Sequence, residues 1–426
     1  MRRLRSIGAA LGVVLAATAF VGLPNLSNSP SAPLSEPVSY VGPVQPMLSD
    51  DDPKPLPAFV QKGLAWLAQA QFENGGWGAG AHNRQDIHDP RVVQIDPATT
   101  AFSAMAFLRT GNTLTDGPYH ATVGKALTYL LDLVEAYPEE GARISDIAGT
   151  QPQIKLGQHI DVAMVAQFFT QALPHTEHDK ALRNRVAEAL EVCVSKLVRA
   201  QDADGSWNSG GGWAGVLQSA MANNALEMAK DAGLDIDQEA LKRSRQYQKD
   251  NLDETSGEVR TESAAGVSLY SIASNQRATA KEAREAKDKI EEGMRDGRLA
   301  LPASTPLDER VVTEENLKVV GYDDEDAKRL AVAYRKNRAA SRMVRSDAVL
   351  AGFGNNGGEE YLSYMMTSES LATTGGDDSE AWYKKMDARL SKVQNADGSW
   401  SGHHCITSPV FCTAAVILTM TADRAA

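Results

Sequence analysis

The sequence predicts an all-α fold: about six helical hairpins closing into an (α/α)6 toroid over residues 57–426, after an N-terminal signal and a Pro-rich tether. Three observations predict it. A seven-residue motif occurs three times, as QFENGGW at 71–77, QDADGSW at 201–207 and QNADGSW at 394–400. Each copy follows a stretch with apolar residues three and four apart (VQKGLAWLAQAQ, VAEALEVCVSKLVRAQ, WYKKMDARLSKVQ), the period of a helix buried on one face. Each copy precedes a more apolar stretch (ATTAFSAMAFLRT, VLQSAMANNALEMA, SPVFCTAAVILTM). Between the two, Asn-Gly or Asp-Gly forces a turn, because Gly accepts the left-handed backbone that ends helices. The unit is a polar-faced outer helix, a turn and an apolar inner helix. Such units bury their faces only against one another, which closes the set into a ring.

The elements follow in order. MRRLRS precedes an apolar run from Ile7 to about Leu23, the pattern of a secretory signal over 1–23, with an uncleaved N-terminal anchor as the alternative. Residues 24–56 form a Pro/Ser-rich linker; nine of the 18 prolines fall between Pro24 and Pro57, so it is expected to be extended. Inner helices are expected near Asp96, His159, Trp213, Glu262, Glu359 and Ser408. Degenerate outer helices are expected at 125–135, at 238–248 and within 278–351, with insertions at 80–95, 136–157 and about 295–325. The charged stretch 281–295 reads as a solvated insert helix.

The repeated units resemble the QW repeats of the prenyltransferase and squalene-cyclase superfamily, over roughly residues 57–424. The resemblance implies a terpenoid-cyclase-like toroid in which Gln71, Gln201 and Gln394, with Trp77, Trp207 and Trp400, are structural clamps between hairpins. Trp supplies area and one donor; Gln supplies donor and acceptor. The family's catalytic motifs are missing. There is no DxDD acid, no Asp-x-Cys pair for zinc and no CGEQ thioester. Aromatic residues are 6% of the chain, few for a cavity that steadies carbocations.

Chemistry is therefore sought in local clusters. SGHHCITSPVFCT at 401–413 holds His403, His404, Cys405 and Cys412. These are natural zinc ligands, although the Cys spacing matches no recognised finger. A Cys405–Cys412 disulfide and two inert thiols are the competing readings. The cluster precedes the last inner helix, capped at Thr407 or Ser408 with Pro409 behind it. The same mouth should gather Asp96, His159, Asp161, Glu262, Glu359 and Glu360, each also readable as an ordinary first-turn acid or cap. His159, Asp161, Glu359 and Glu360 are the catalytic candidates. Trp213, Asp96 and Glu262 are the candidates for holding a ligand. The loop HNRQDIHDPR, with His82, His88 and Asp89, is placed to cover this mouth.

A net charge of −12 and the absence of a basic block after residue 5 exclude a nucleic-acid footprint. No second apolar run is long enough to span a bilayer. The functional expectation is an exported toroid binding a small or lipid-like ligand in its central cavity. The alternative is a divergent enzyme, with or without zinc, acting on an isoprenoid or oligosaccharide at the mouth.

Overall fold

The computed structural model describes residues 55–302 and 304–424. The expected signal and the tether up to residue 54 lie outside the described residues. In chain order the helices are α1 (Ala58–Gln69), α2 (Pro97–Arg109), α3 (His120–Ala136), α4 (Gln151–Lys155), α5 (Ile160–Ala172), α6 (Lys180–Ala200), α7 (Gly215–Asp231), α8 (Gln238–Lys249), α9 (Ser268–Arg295), α10 (Glu314–Val319), α11 (Asp324–Met343), α12 (Asp347–Leu350), α13 (Gly358–Thr374), α14 (Asp377–Lys392) and α15 (Pro409–Met420). The fold is all-α. Among the described residues there is no strand, only isolated bridges at Ala81–Thr150 and Leu252–Val259. No described helix is long and apolar enough to cross a membrane.

The helices divide by pattern. α2, α5, α7, α13 and α15 are buried almost throughout, because their sequences are apolar or small on every side. α1, α3, α6, α8 and α14 bury one stripe each; in α6 it is Val186, Ala189, Leu190, Cys193 and Leu197. Among the buried helices α2 packs on α5, α5 on α7, α7 on α9, α9 on α13, α13 on α15, and α15 on α2. α1, α3, α6, α8, α11 and α14 each pack against one or two of these six.

One boundary differs from the sequence expectation. The buried helix expected near Glu262 starts at Ser268, and residues 262–264 form a short 3-10 turn. Stretch 281–295 is no separate insert either. It continues α9 to 28 residues, because nothing breaks the helix before Gly293 and the stripe Ala283, Ala286, Ile290, Met294 stays apolar. That stripe meets Leu317, Val320, Ala327 and Leu330 of α10, α11 and their connection, forming a second small core.

The repeated motif makes the same bonds three times. The side-chain amide of Gln71 donates to Gly75 O (2.9 Å) and to Thr122 O in α3 (3.0 Å). Gln201 donates to Gly205 O (3.2 Å) and to Ala240 O in α8 (2.9 Å). Gln394 donates to Gly398 O (2.8 Å) and to Phe59 O in α1 (2.9 Å). The indoles of Trp77, Trp207 and Trp400 donate to the carbonyls of Leu67, Leu197 and Leu390 in the preceding helix (2.9, 2.9 and 2.8 Å). Their backbone N–H groups donate to the hydroxyls of Thr100, Ser219 and Thr413 in the following one (2.9, 3.0 and 3.0 Å). The turn glycine is required: Gly205 has φ +90°, and a Cβ there would lie 2.2 Å from Arg243 O.

Trp207→Phe keeps most of the buried ring but strips the Leu197 carbonyl of its donor. It should lower unfolding stability by about 1–3 kcal/mol in urea denaturation. A variant as stable as the wild type would remove the indole bond from the account of the fold.

Candidate functional site

The N-terminal ends of α2, α5, α13 and α15 carry a buried polar cluster. Asp96 caps α2, with Pro97 behind it, and its carboxylate accepts from the N–H groups of Thr99 (2.8 Å) and Ala79 (2.7 Å). Burial pushes Asp96 up to about 6 despite these bonds. Asp161, in the first turn of α5, accepts from Gln153 Nε2 (2.6 Å). Burial first, then the Asp96 charge, raises it to about 7. His159 precedes Asp161 at the N-cap, and its N–H donates to Gln218 Oε1 (2.6 Å). Burial lowers the His159 pKa, so the ring is neutral at pH 7. Gln218 also donates to Trp207 O (2.7 Å), which links the start of α5 to the second Gln-Trp clamp.

Glu359 and Glu360 open α13 and are both buried. Glu360 accepts from Tyr270 Oη (2.6 Å), Phe353 N–H (2.9 Å) and Gly357 N–H (3.0 Å), and His404 Nε2 lies 3.6 Å away. Glu359 has only Ile406 N–H (3.2 Å) from the backbone of the next segment. Burial, then the Glu360 charge, raises Glu359 to about 8, so it is a neutral acid at pH 7. Burial first, then the Glu359 carboxyl, pushes the Cys405 thiol up to about 12. Such a thiol is not a nucleophile at neutral pH.

Lys155, at the end of α4, faces this acid pair. It is 6% exposed, and among the described residues its ammonium has no hydrogen bond or ion pair. Its charge acts on Glu359, Cys405 and His82, and its direct contact is the Trp213 ring, 4.2 Å to the centroid. Trp213 is 64% exposed. Its loop is pinned beside Lys155: Ala214 N–H donates to Lys155 O (2.8 Å), and a Cβ on Gly212 would meet Leu156 O at 2.3 Å. The 82–85 turn covers the cluster. Gln85 Nε2 donates to Cys405 O (2.7 Å), and Thr407 Oγ1 donates to Gln85 O (2.9 Å).

The structure thus brings Asp96 and Asp161 together, and Glu359, Glu360, His404 and Cys405 into another group; the His159 ring does not join Asp161 but lies against Gly210 on the side of Asp202. It does not bring Glu262 to either, since that side chain is exposed on the turn before α9. The expected zinc ligands do not converge. His403 is exposed, His404 Nε2 contacts Asn355 O (2.9 Å), and the buried Cys412 Sγ donates to Ile406 O (3.7 Å). Among the described residues no three His, Cys, Asp or Glu side chains are arranged to hold a metal ion. Cys405 and Cys412 are both free thiols rather than a disulfide, because one turns to Glu359 and the other to the Ile406 carbonyl. Lys155, Gln151, Gln153 and Gln218 were missed from the sequence. The signal for Lys155 was slight: a lone cation in QPQIKLG, just before the His159 segment.

Deeper between the buried helices lies a second polar layer. Arg109 of α2 pairs with Glu369 of α13, which also holds Arg277 of α9 (2.9 Å). Arg277 donates to Asn224 of α7, and Asn224 donates to Gln167 Oε1 of α5 (2.9 Å). Five of the six buried helices are cross-linked, so side chains fill this depth.

No protein-family model matches the chain, and no curated protein matches it.

Glu359, Asp161 and Asp96 all ionise at higher pH in the folded chain than in the unfolded one. The folded form therefore keeps protons that the unfolded form has lost. Their stabilising contribution is full below about pH 4 and is lost as pH rises toward about 8. The urea midpoint should fall between pH 5 and pH 8, and Glu359→Gln, which cannot ionise, should make that fall smaller. An identical pH profile in the variant would contradict a buried, protonated Glu359.

Proposed function

We propose that this chain is an exported ligand-binding protein of the QW-repeat kind, an (α/α)6 toroid whose site is the mouth at Lys155 and Trp213. The cyclic packing of six buried helices and the threefold Gln-Trp clamp support the toroid reading and the family resemblance. One observation carries the ligand reading: the ammonium of Lys155, at the tip of a side chain only 6% exposed, has no acceptor among the described residues and lies at an exposed indole. A buried charge left unpaired is costly unless something else compensates it. The site offers a cation, a protonated acid (Glu359) and a flat aromatic face. That set suits a polar ligand with oxygen acceptors and a stacking face, as a saccharide has, better than an isoprenoid. The layer of side chains at Arg109, Glu369 and Arg277 favours the mouth over the central cavity as the ligand's seat. Zinc has no part in this reading, since the His-Cys cluster does not form a site.

A second reading is favoured by Glu359 alone. A carboxyl held protonated to about pH 8 is poised as a general acid, which would make the chain a sugar-cleaving enzyme rather than a binder.

The test is a titration of intrinsic fluorescence with oligosaccharides, neutral and uronate-containing, against farnesol as the isoprenoid control. A saccharide should quench emission saturably, and Trp213→Ala should abolish the response with an unchanged melting temperature. Binding retained in Trp213→Ala, or seen only with farnesol, would overturn the mouth site. Cleavage of the bound sugar that disappears in Glu359→Gln would establish the second reading.

A further inference from the structure

Away from the mouth, a cleft of about 660 Å³ opens between α11 and α14, with α9 and the end of α13 as its floor. That volume lies within the range of small-molecule sites. Its origin is the length of α9. The helix runs on past the buried set to meet α10 and α11, and α11 is drawn toward that second core and away from α14.

The cleft has two chemistries. Leu307, Val344, Leu371 and Trp382 give it an apolar side, with the Trp382 indole already satisfied by Ser368 Oγ (2.7 Å). Lys287, Arg338, Arg345 and Lys385 stand around it. Only two carboxylates line the same space, Asp377 and Asp378. Asp378 is shared by two cations, Arg338 (2.5 Å) and Arg345. Arg338 Nε is buried and has no acceptor. Lys287 has only a long contact to Thr374 O (3.4 Å), whereas Lys385 is paired with Asp347 (2.9 Å) and Arg345 O (2.7 Å). In a chain of net charge −12, four cations against two carboxylates mark a local positive excess.

We infer that this cleft binds a single-chain amphiphilic anion, with its alkyl body against Trp382 and Leu371 and its anionic head among Arg338, Arg345 and Lys287. A neutral apolar ligand would leave the cations unused. A compact polar anion would leave the apolar side wet. The site is separate from the mouth and does not depend on the function proposed there.

The experiment is isothermal titration of the full chain with decanoate below its micellar concentration. One saturable site per chain is expected. Lys287→Glu combined with Arg345→Glu should weaken it about tenfold or more, while Trp213→Ala at the mouth should leave it unchanged. If the double variant fails to fold, Arg345→Gln alone serves, since that side chain is 63% exposed; about a threefold loss is then expected. Absence of saturable decanoate binding, equal binding by the charge variants, or loss in Trp213→Ala would overturn the inference.

Discussion

The Gln-Gly-Trp clamp is the constraint on which the rest of the structure depends. Each copy ties three helices through one turn: the helix before it by the indole, the helix after it by a backbone N–H, and the next amphipathic helix by the Gln amide. The third copy reaches back to Phe59 in α1, so the last repeat is fastened to the first described helix. The bonded carbonyls and hydroxyls are buried, and a buried polar group without a partner costs about 1–3 kcal/mol. Each Trp therefore fixes register as well as adding area. Because the Trp N–H meets a hydroxyl in the first turns of the following helix, it also fixes where that helix begins, and hence where the polar residues ahead of it stand.

Three of the six buried helices, α5, α9 and α13, lack that motif, and glutamines and a glutamate brace the starts of α5, α13 and, besides the motif, α15. Gln218 joins the start of α5 to the Trp207 carbonyl. Gln151 accepts from Thr407 N–H (2.7 Å) and Ser408 N–H (3.2 Å) ahead of α15. Glu360 accepts the Gly357 N–H at the start of α13 (3.0 Å). The mouth is thus sewn together by side chains whose first duty is structural. Several of these polar residues are ordinary caps and brackets, and what remains without a structural partner is informative.

The helical hairpins were legible in the sequence because the motif and the 3.6-residue period recur within a few turns of each other. Asp96, His159, Glu359 and Ser408 were placed at helix starts for the same reason: capping is a local property. Glu262 was misplaced because the acid-before-helix pattern also describes a surface turn, and five further residues pass before α9 begins. Of the readings left open for the cysteines, two free thiols is the one seen, and the sequence could not choose it because spacing does not give the direction of a side chain. Cys405 sits at φ +58° and turns to Glu359, while Cys412 is carried into the helix. Lys155 was invisible for a deeper reason. Its significance lies in what it lacks, and an unpaired charge is defined by tertiary neighbours that no local pattern records.

The two polar layers between the buried helices behave differently, and the contrast sets the N-terminal cluster apart from a structural brace. In the deeper layer one carboxylate is shared by two cations: Glu369 lies between Arg109 and Arg277, and burial is offset by ion pairs that hold its carboxylate below the usual range, although Arg109 Nε and Nη1 stay buried without acceptors. Removing one partner there would cost about 3–5 kcal/mol and gain no chemistry, as expected of a structural brace. At the mouth burial wins. Asp96, Asp161 and Glu359 are all pushed upward, and the nearby cation Lys155 offsets this too weakly to keep Glu359 ionised. An arrangement that served stability alone would pair Lys155 with a carboxylate directly, as the brace does a few turns below. Holding the cation under Trp213, beside an acid kept neutral, gives up that stabilisation for a surface that can donate to an incoming oxygen.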